Sequence, residues 1–436
     1  MLNLNISFMI GTCPANVKPN LPGARRTLTF PQGGVTFRKI MNFVYLSPHF
    51  PPNYYLFCVH LRRLGANVLG LADPPYDSLR AELKEALCDY YRVDDLHNYD
   101  QLLRGCGYFT QRHGKLDRID SHNEYWLETE ARLRTDFHMF GIRNEDILAV
   151  KSKSRMKAIF RNAGVAVARG AVARTLEEGK RLVRETGYPV VAKPDVGVGA
   201  IATYKISCEA ELERFFSRKP PADYLLEEFI SGGILSFDGL TDRDGNPVFY
   251  TAHAYSQGVM EAVNNDDHIS YYSFREIPPD LEAAGRKVLA AFGVRERFFH
   301  FEFFRTHRDG RIVALEVNLR PPGGLTTDMF NYANDIDIYH QWASVVVRNE
   351  FTAPYGRPYH CGYIGRKLRK NYIRSHGDIL AAFGDAIVHH EEINSIFRAA
   401  IGDYGYLARS SSLEEILAIA RFIHETKEDP PGRNPG

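Results

Sequence analysis

Apolar positions along this chain fall into two kinds of run. Short, nearly continuous runs such as Asn42–Leu46 and Asn67–Leu71 read as buried strands, whereas Tyr54–Leu64 repeats its apolar residues with the helical period and stops at Gly65. A strand, a helix and a strand at this spacing form a crossover unit, which predicts a parallel sheet. Tyr99–Gly105 and Glu124–Phe140 predict further helices, and Asp117–His122 a strand with its exit loop. A first α/β domain therefore spans residues 41–145.

The pattern then changes. Ser152–Ala163 and Leu176–Thr186 are helical stretches closed by Gly164 and Gly187. Tyr188–Ala192 is a strand leading into Lys193 and a loop with Gly197 and Gly199. Tyr224–Phe229 predicts a strand, Leu235–Ala254 a hairpin-like region and Leu281–Phe292 a helix ended by Gly293. Residues 258–278 are polar and aromatic, with weak periodicity. Pro321-Pro322-Gly323-Gly324 leads into one long helix, Thr326–Val347. Pro354–Pro358 reads as a linker, and the last segment holds short strands and an amphipathic helix, Leu413–Ile423. The expected division is 146–355 for a central domain and 356–436 for a small C-terminal α+β domain and tail. Residues 1–40 carry five cations and no acid, with prolines and glycines breaking any period. They are expected to be a disordered leader.

The most informative stretch is Phe298–Phe304, a turn at Asp309-Gly310, then Arg311–Arg320. With strand period 2, Phe299, Phe301 and Phe303 share a face opposite His300 and Glu302. In the second strand Val313, Leu315, Val317 and Leu319 share one face, and Glu316, Asn318 and Arg320 the other. A short loop sets Glu302 opposite Glu316. Facing carboxylates repel unless something compensates. Magnesium, held by one or two carboxylates with phosphate and water filling its other positions, is the natural partner, and Asn318 adds a neutral oxygen. The competing reading is a solvated outer face, which the otherwise apolar strands disfavour.

Lys193 ends an apolar strand before a small-residue loop, where a point charge and accessible amides suit phosphate. The loop does not match the Walker pattern. Lys153 begins a helix forty positions earlier, and Leu225–Ile230 runs an apolar strand into Glu227 and Glu228. Taken singly, each of these is an ordinary surface or strand-end feature.

Composition narrows the class. Of 436 residues, 44% are hydrophobic and 25% charged, with a formal net charge of +1. That balance gives no bulk attraction to nucleic acid or an anionic membrane. No apolar run reaches the roughly 18 residues of a membrane helix. The six cysteines form no CxxC pair and no zinc spacing. They read as reduced thiols of a cytoplasmic protein.

The ordered set resembles the ATP-grasp superfamily, which includes D-alanine–D-alanine ligase, biotin carboxylase and the L-amino acid ligases. It runs Lys153, Tyr188–Lys193 with its loop, Glu227–Ile230, Glu302, then Glu316-x-Asn318-x-Arg320 and Pro-Pro-Gly-Gly, and looks closest to the carboxylate–amine ligases. The resemblance implies an ATP-grasp fold flanked by an N-terminal parallel α/β domain and a small C-terminal one. It implies that Lys153, Lys193, Gly197 and Gly199 bind ATP phosphates and that Glu227, Glu228, Phe229 and Ile230 hold adenine. Glu302, Glu316 and Asn318 would ligate magnesium, usually two ions, with manganese an alternative. Arg320 would steady an acyl phosphate, beside the amides of Gly323 and Gly324. His268 and Arg275 are candidate substrate contacts. Family members often carry a ribose-binding acid where this chain has Ile234, so either Glu228 or Asp238 substitutes or the ribose is held loosely. The implied reaction joins a small carboxylate to an amine and releases ADP and phosphate. A bicarbonate-using carboxylase and a non-catalytic nucleotide-binding regulator are the alternatives. Nucleic acid and membrane are not expected partners, and a homodimer is compatible with the family.

Overall fold

The computed structural model describes residues 40–197, 202–256 and 267–427. The expected leader, Gly199, part of 258–278 and the end of the tail lie outside the described residues.

The N-terminal crossover forms as its pattern predicts. β1 (Asn42–Leu46), β2 (Asn67–Ala72), β3 (Asp89–Arg92) and β4 (Arg118–Asp120) make a parallel sheet in the order β3-β2-β1-β4. β1 is buried along its whole length because helices cover both faces of the sheet. The helix Tyr55–Arg63 packs one face against the helix Ile338–Arg348, and Tyr99–His113 covers the other.

β5 (Gly170–Ala173), β6 (Val190–Pro194), β7 (Tyr204–Ile206) and β8 (Tyr224–Glu228) form a small antiparallel sheet in the order β5-β8-β6-β7. Val190, Ala192, Ile206, Tyr224 and Leu226 pack with Leu182, Leu212 and Phe215 of two amphipathic helices. Alternation therefore turns Val191, Lys193, Lys205, Leu225 and Glu227 to the other face.

The largest sheet has eight antiparallel strands, in the order β13-β12-β9-β10-β11-β14-β16-β15. They are β9 (Gly232–Thr241), β10 (Pro247–Tyr255), β11 (Ser270–Ser273), β12 (Phe298–Thr306), β13 (Ile312–Asn318), β14 (His360–Arg366), β15 (Ile387–Glu392) and β16 (Tyr404–Ser410). Strands from the last segment thus continue the sheet begun by the central one.

The single long helix expected over Thr326–Val347 is two helices, Thr326–Asn334 and Ile338–Arg348. Asp335 takes a left-handed conformation (φ +52°), and the Asp337 side chain caps the second helix by accepting from the His340 amide. The apolar period runs through this break, so polarity alone does not show it; the Asn-Asp-Ile-Asp spelling does.

A buried charge cluster ties the parallel sheet to β12. Arg297 donates to Asp120 at 2.9 Å and to Glu130 at 3.1 Å, and Arg134 bonds Glu130 at 2.8 Å. Beside it His122 lies flat on Phe57, ring centroids 4.1 Å apart. Burial, only partly offset by Asp120, pushes the His122 imidazole down to about 4. A depressed histidine contributes stability that is complete above its unfolded value and lost as pH falls through its folded one. The expected result is a loss of about 3 kcal/mol between pH 6.5 and 4, read from denaturant midpoints. Asp120, held near 2 despite burial by Arg297, His122 and Arg134, loses its own contribution only at lower pH. His122→Asn, tolerated at this residue's positive φ of 57°, should flatten the slope in that window. An unchanged slope would assign it to other groups.

Candidate active site

The β12–β13 hairpin turns through residues 307–311 and sets Glu302 opposite Glu316. His300 faces Asn318 in the same register. Phe299, Phe301 and Phe303 are wholly buried with Phe237, Val317 and Leu319, so the polar face looks away from that core. One expectation needs correcting. The ladder slips between Glu302 and Phe303, where the partner jumps from Glu316 to Ala314, so Leu315 is an extra residue in β13. Such a bulge reverses the alternation beyond it. Ala314 and Ile312, not Val313 and Leu315, accordingly join Val317 and Leu319 in the core. The bulge sits beside the carboxylate pair.

Each carboxylate has its own cation. Lys153 Nζ lies 2.8 Å from Glu316 Oε1 and donates to the Gly197 carbonyl at 3.3 Å. Its position is fixed by Asp195, whose carboxylate accepts the Ser152 hydroxyl and the Ser154 amide, both at 2.7 Å. An acid at a helix N-terminus is favoured there. Burial together with Glu302 and Glu124 pushes Glu316 upward, while the ammonium beside it opposes that shift without cancelling it. Glu302 Oε1 meets His300 Nε2 at 3.0 Å. Burial would raise Glu302, but His300 and the charge of Arg320 hold it below the ordinary range. Burial would lower His300, yet Asp238 and Glu302 push it up to about 9.

On the small sheet Lys193 Nζ contacts Glu227 Oε1 at 2.6 Å, and Lys157 Nζ contacts Glu227 Oε2 at 2.6 Å. Glu227 is buried, and its two lysines outweigh burial to hold it low. Lys157 itself is pushed down by burial. Glu228 is turned away. Its carboxylate accepts from the Arg169 amide and side chain, and its amide donates to the Arg169 carbonyl. The Phe229 amide donates to Pro189, and Lys205 sits over the Phe229 ring at 4.0 Å. Among the described residues the Ile230 amide has no hydrogen-bond partner. Both suggested replacements for a ribose-binding acid are already paired. Glu228 is spent on Arg169, and Asp238 is fully buried between two histidines.

Arg320 Nη2 donates to Glu124 Oε2 at 3.1 Å, and Nη1 to the Pro321 carbonyl at 3.0 Å. Glu124 opens the helical segment after β4, and Lys151 lies 3.9 Å from its other oxygen. Gly323 and Gly324 precede the helix Thr326–Asn334. Gly324 has φ +64°, and a Cβ there would meet Ile401 at 2.8 Å. Two candidates lie in different surroundings. Arg275 Nη1 donates to the Ser411 carbonyl at 2.6 Å, and its own carbonyl accepts from Arg357. His268 stacks on His424 with centroids 3.9 Å apart.

Sequence reasoning missed Lys157 and Glu124, and it offered Asp238 only as a ribose ligand, not as the partner of His300. Lys157 is four residues after Lys153, one helical turn on the same face, a usable signal. His300 was on the right face but carried no role. Glu124 comes from another element and had none.

Residues 186–328 match the family model described as the ATP-grasp domain. The L-arginine-specific L-amino acid ligase of Bacillus subtilis is 23% identical over 54% of this chain and 58% of its own length. The chain thus spans little more than half of that curated relative. The crystal structure of L-amino acid ligase from Bacillus licheniformis superposes with TM-score 0.70 at 14% identity, covering 88% of this chain and 97% of that one. The biotin carboxylase domain of Hydrogenobacter thermophilus 2-oxoglutarate carboxylase, in complex with MgADP, ADP and bicarbonate, gives TM-score 0.62 at 16% identity over 88% and 89%. The fold is therefore ATP-grasp. Among the described residues no helix is long and apolar enough to cross a membrane.

Proposed function

We propose that this chain is an ATP-dependent carboxylate–amine ligase, which activates an acid as its acyl phosphate, transfers it to an amine and releases ADP and phosphate. The observation that carries it is the position of Lys153. One ammonium touches both Glu316 of the carboxylate hairpin and the Gly197 carbonyl of the small-sheet loop, and this meeting of hairpin and loop at one cation supports a phosphate site there.

Lys153 and Lys193 would bind the ATP phosphates, exchanging Glu316 and Glu227 for phosphate oxygens, with Gly197 and Gly199 closing over them. Lys157 stays on Glu227 and keeps that buried carboxylate neutralised when Lys193 moves. The Ile230 amide, free among the described residues, suits the adenine edge, with Phe229 and Glu227 beside it. Glu302, Glu316 and Asn318 supply only oxygens, as magnesium or manganese requires. With two carboxylates and one amide from the chain, phosphate and water would complete the ion's coordination. Bound there, one or two such ions would neutralise charge on the transferred phosphoryl group.

A carboxylate is a poor acyl donor because oxide is a poor leaving group; phosphorylation replaces oxide by phosphate. Arg320 would orient the acyl phosphate and offset charge as the amine adds, beside the Gly323 and Gly324 amides. The site must exclude water, since an acyl phosphate hydrolyses. Incubating the full chain with magnesium, ATP and pairs of amino acids should release phosphate and yield a product of the summed mass less water. Release driven by bicarbonate without an amino acid would instead favour the carboxylase reading, and ATP binding without release under any mixture a regulator.

A further inference from the structure

We propose that Asp238 and His300, backed by His253, are positioning residues that aim Glu302. The inference rests on Glu302 serving as a cation ligand in the proposed function.

The residues lie on one face of three neighbouring strands, with His253 set diagonally to Asp238 because its own register partner is Ser236. β12 lies between β9 and β13, so His300 has Asp238 as its register partner on one side and Asn318 on the other. His300 Nδ1 lies 2.5 Å from Asp238 Oδ1, and its Nε2 lies 3.0 Å from Glu302 Oε1. Asp238 Oδ2 meets His253 Nδ1 of β10 at 2.7 Å and accepts the Ser236 hydroxyl at 2.5 Å. Asp238 and His253 have no exposed surface, and His300 retains 5%.

A cluster of this kind is costly to bury, and it ends at the carboxylate face. The opposite face of the same strands is phenylalanine, at 237, 299 and 301. An apolar core would have served the sheet alone. A buried network in which each carboxylate has its donors instead fixes one geometry for its last member. Here that member is Glu302, with Oε1 engaged by His300. Glu316 has a separate holder in Lys153, so the two acids are oriented independently, one from the sheet interior and one from the helix Lys153–Asn162. Partners of ligating groups of this sort commonly govern metal affinity.

The test uses the full chain with ADP, and manganese as the probe, its free concentration read by electron paramagnetic resonance. Metal-free ADP affinity and melting temperature are measured on the same samples. His300→Phe should weaken manganese binding by about tenfold or more, with metal-free ADP affinity unchanged. His300→Gln, whose amide still donates, should restore most of it. A structural role alone would move the melting temperature without this selectivity. Should His300→Phe fail to fold, Asp238→Asn is read in the same way. Glu302→Gln separates the two levels. If it loses manganese while His300→Phe stays within about twofold of wild type, against the tenfold expected of a ligand's partner, the positioning role is overturned. If Glu302→Gln itself binds manganese normally, the metal reading beneath it falls.

Discussion

Glu316→Gln should abolish ADP-forming turnover, by roughly 1,000-fold or more if it matches the loss of a key charge-stabilising group. The substitution keeps the size of the side chain and removes its charge. Two consequences meet at one atom. The proposed cation loses one of two anionic ligands, and Lys153 loses the carboxylate 2.8 Å away. Removing one member of a buried pair normally destabilises a protein by several kcal/mol. Here Glu124 and Glu302 also act on Lys153, and Glu316 is itself crowded by both acids. The melting temperature should therefore fall by only a few degrees, on the order of a 1 kcal/mol change in a chain this long. Near-normal turnover of a folded variant at saturating magnesium would remove the metal assignment. A variant that melts far below the wild type would show the Lys153–Glu316 pair to be chiefly structural.

The second large effect is expected at Arg320. Two of its donors are occupied, by Glu124 and the Pro321 carbonyl, which leaves part of the planar fork for an acyl phosphate. Lysine keeps the charge but not the fork. Arg320→Lys should leave ATP affinity nearly unchanged and cut turnover about 100-fold or more, the loss seen when one oxyanion donor is removed. The salt bridge to Glu124 gives the competing outcome a definite form, since it links β13 to the segment after the parallel sheet. If bridging is the whole role, Arg320→Lys and Glu124→Gln should lower the melting temperature equally and leave turnover of the folded protein intact. ATP binding, amide formation and melting measured on both variants decide between them.

The hairpin was legible because its information is local. Period 2 and a short turn fixed the facing of Glu302 and Glu316 without knowledge of any other element. The same logic failed at Leu315, where an inserted residue shifts the period and nothing in an apolar run marks the insertion. Lys153, Lys193 and Glu227 were singled out by order along the chain, but their pairing was not. Which lysine meets which acid depends on how β6, β8 and the helix after Ser152 pack. Glu124 lies beyond any local reading, being brought to Arg320 from an element nearly two hundred residues earlier. The bonds that Arg275 makes to the Ser411 carbonyl and accepts from Arg357 join segments far apart in the chain, which a cation among aromatic residues does not announce.

The strand order of the eight-stranded sheet bears on how the chain emerges from the ribosome. β9 to β13 assemble from contiguous sequence, but the outer side of β11 is paired by β14, far downstream. Between synthesis of Ser273 and of His360, at about 5–20 residues per second, that edge waits roughly 4–17 s for its partner. An unpaired strand edge is a template for other chains. The nascent protein thus has a defined interval in which a chaperone has something to cover, ending when Tyr363 and its neighbours dock on Tyr271.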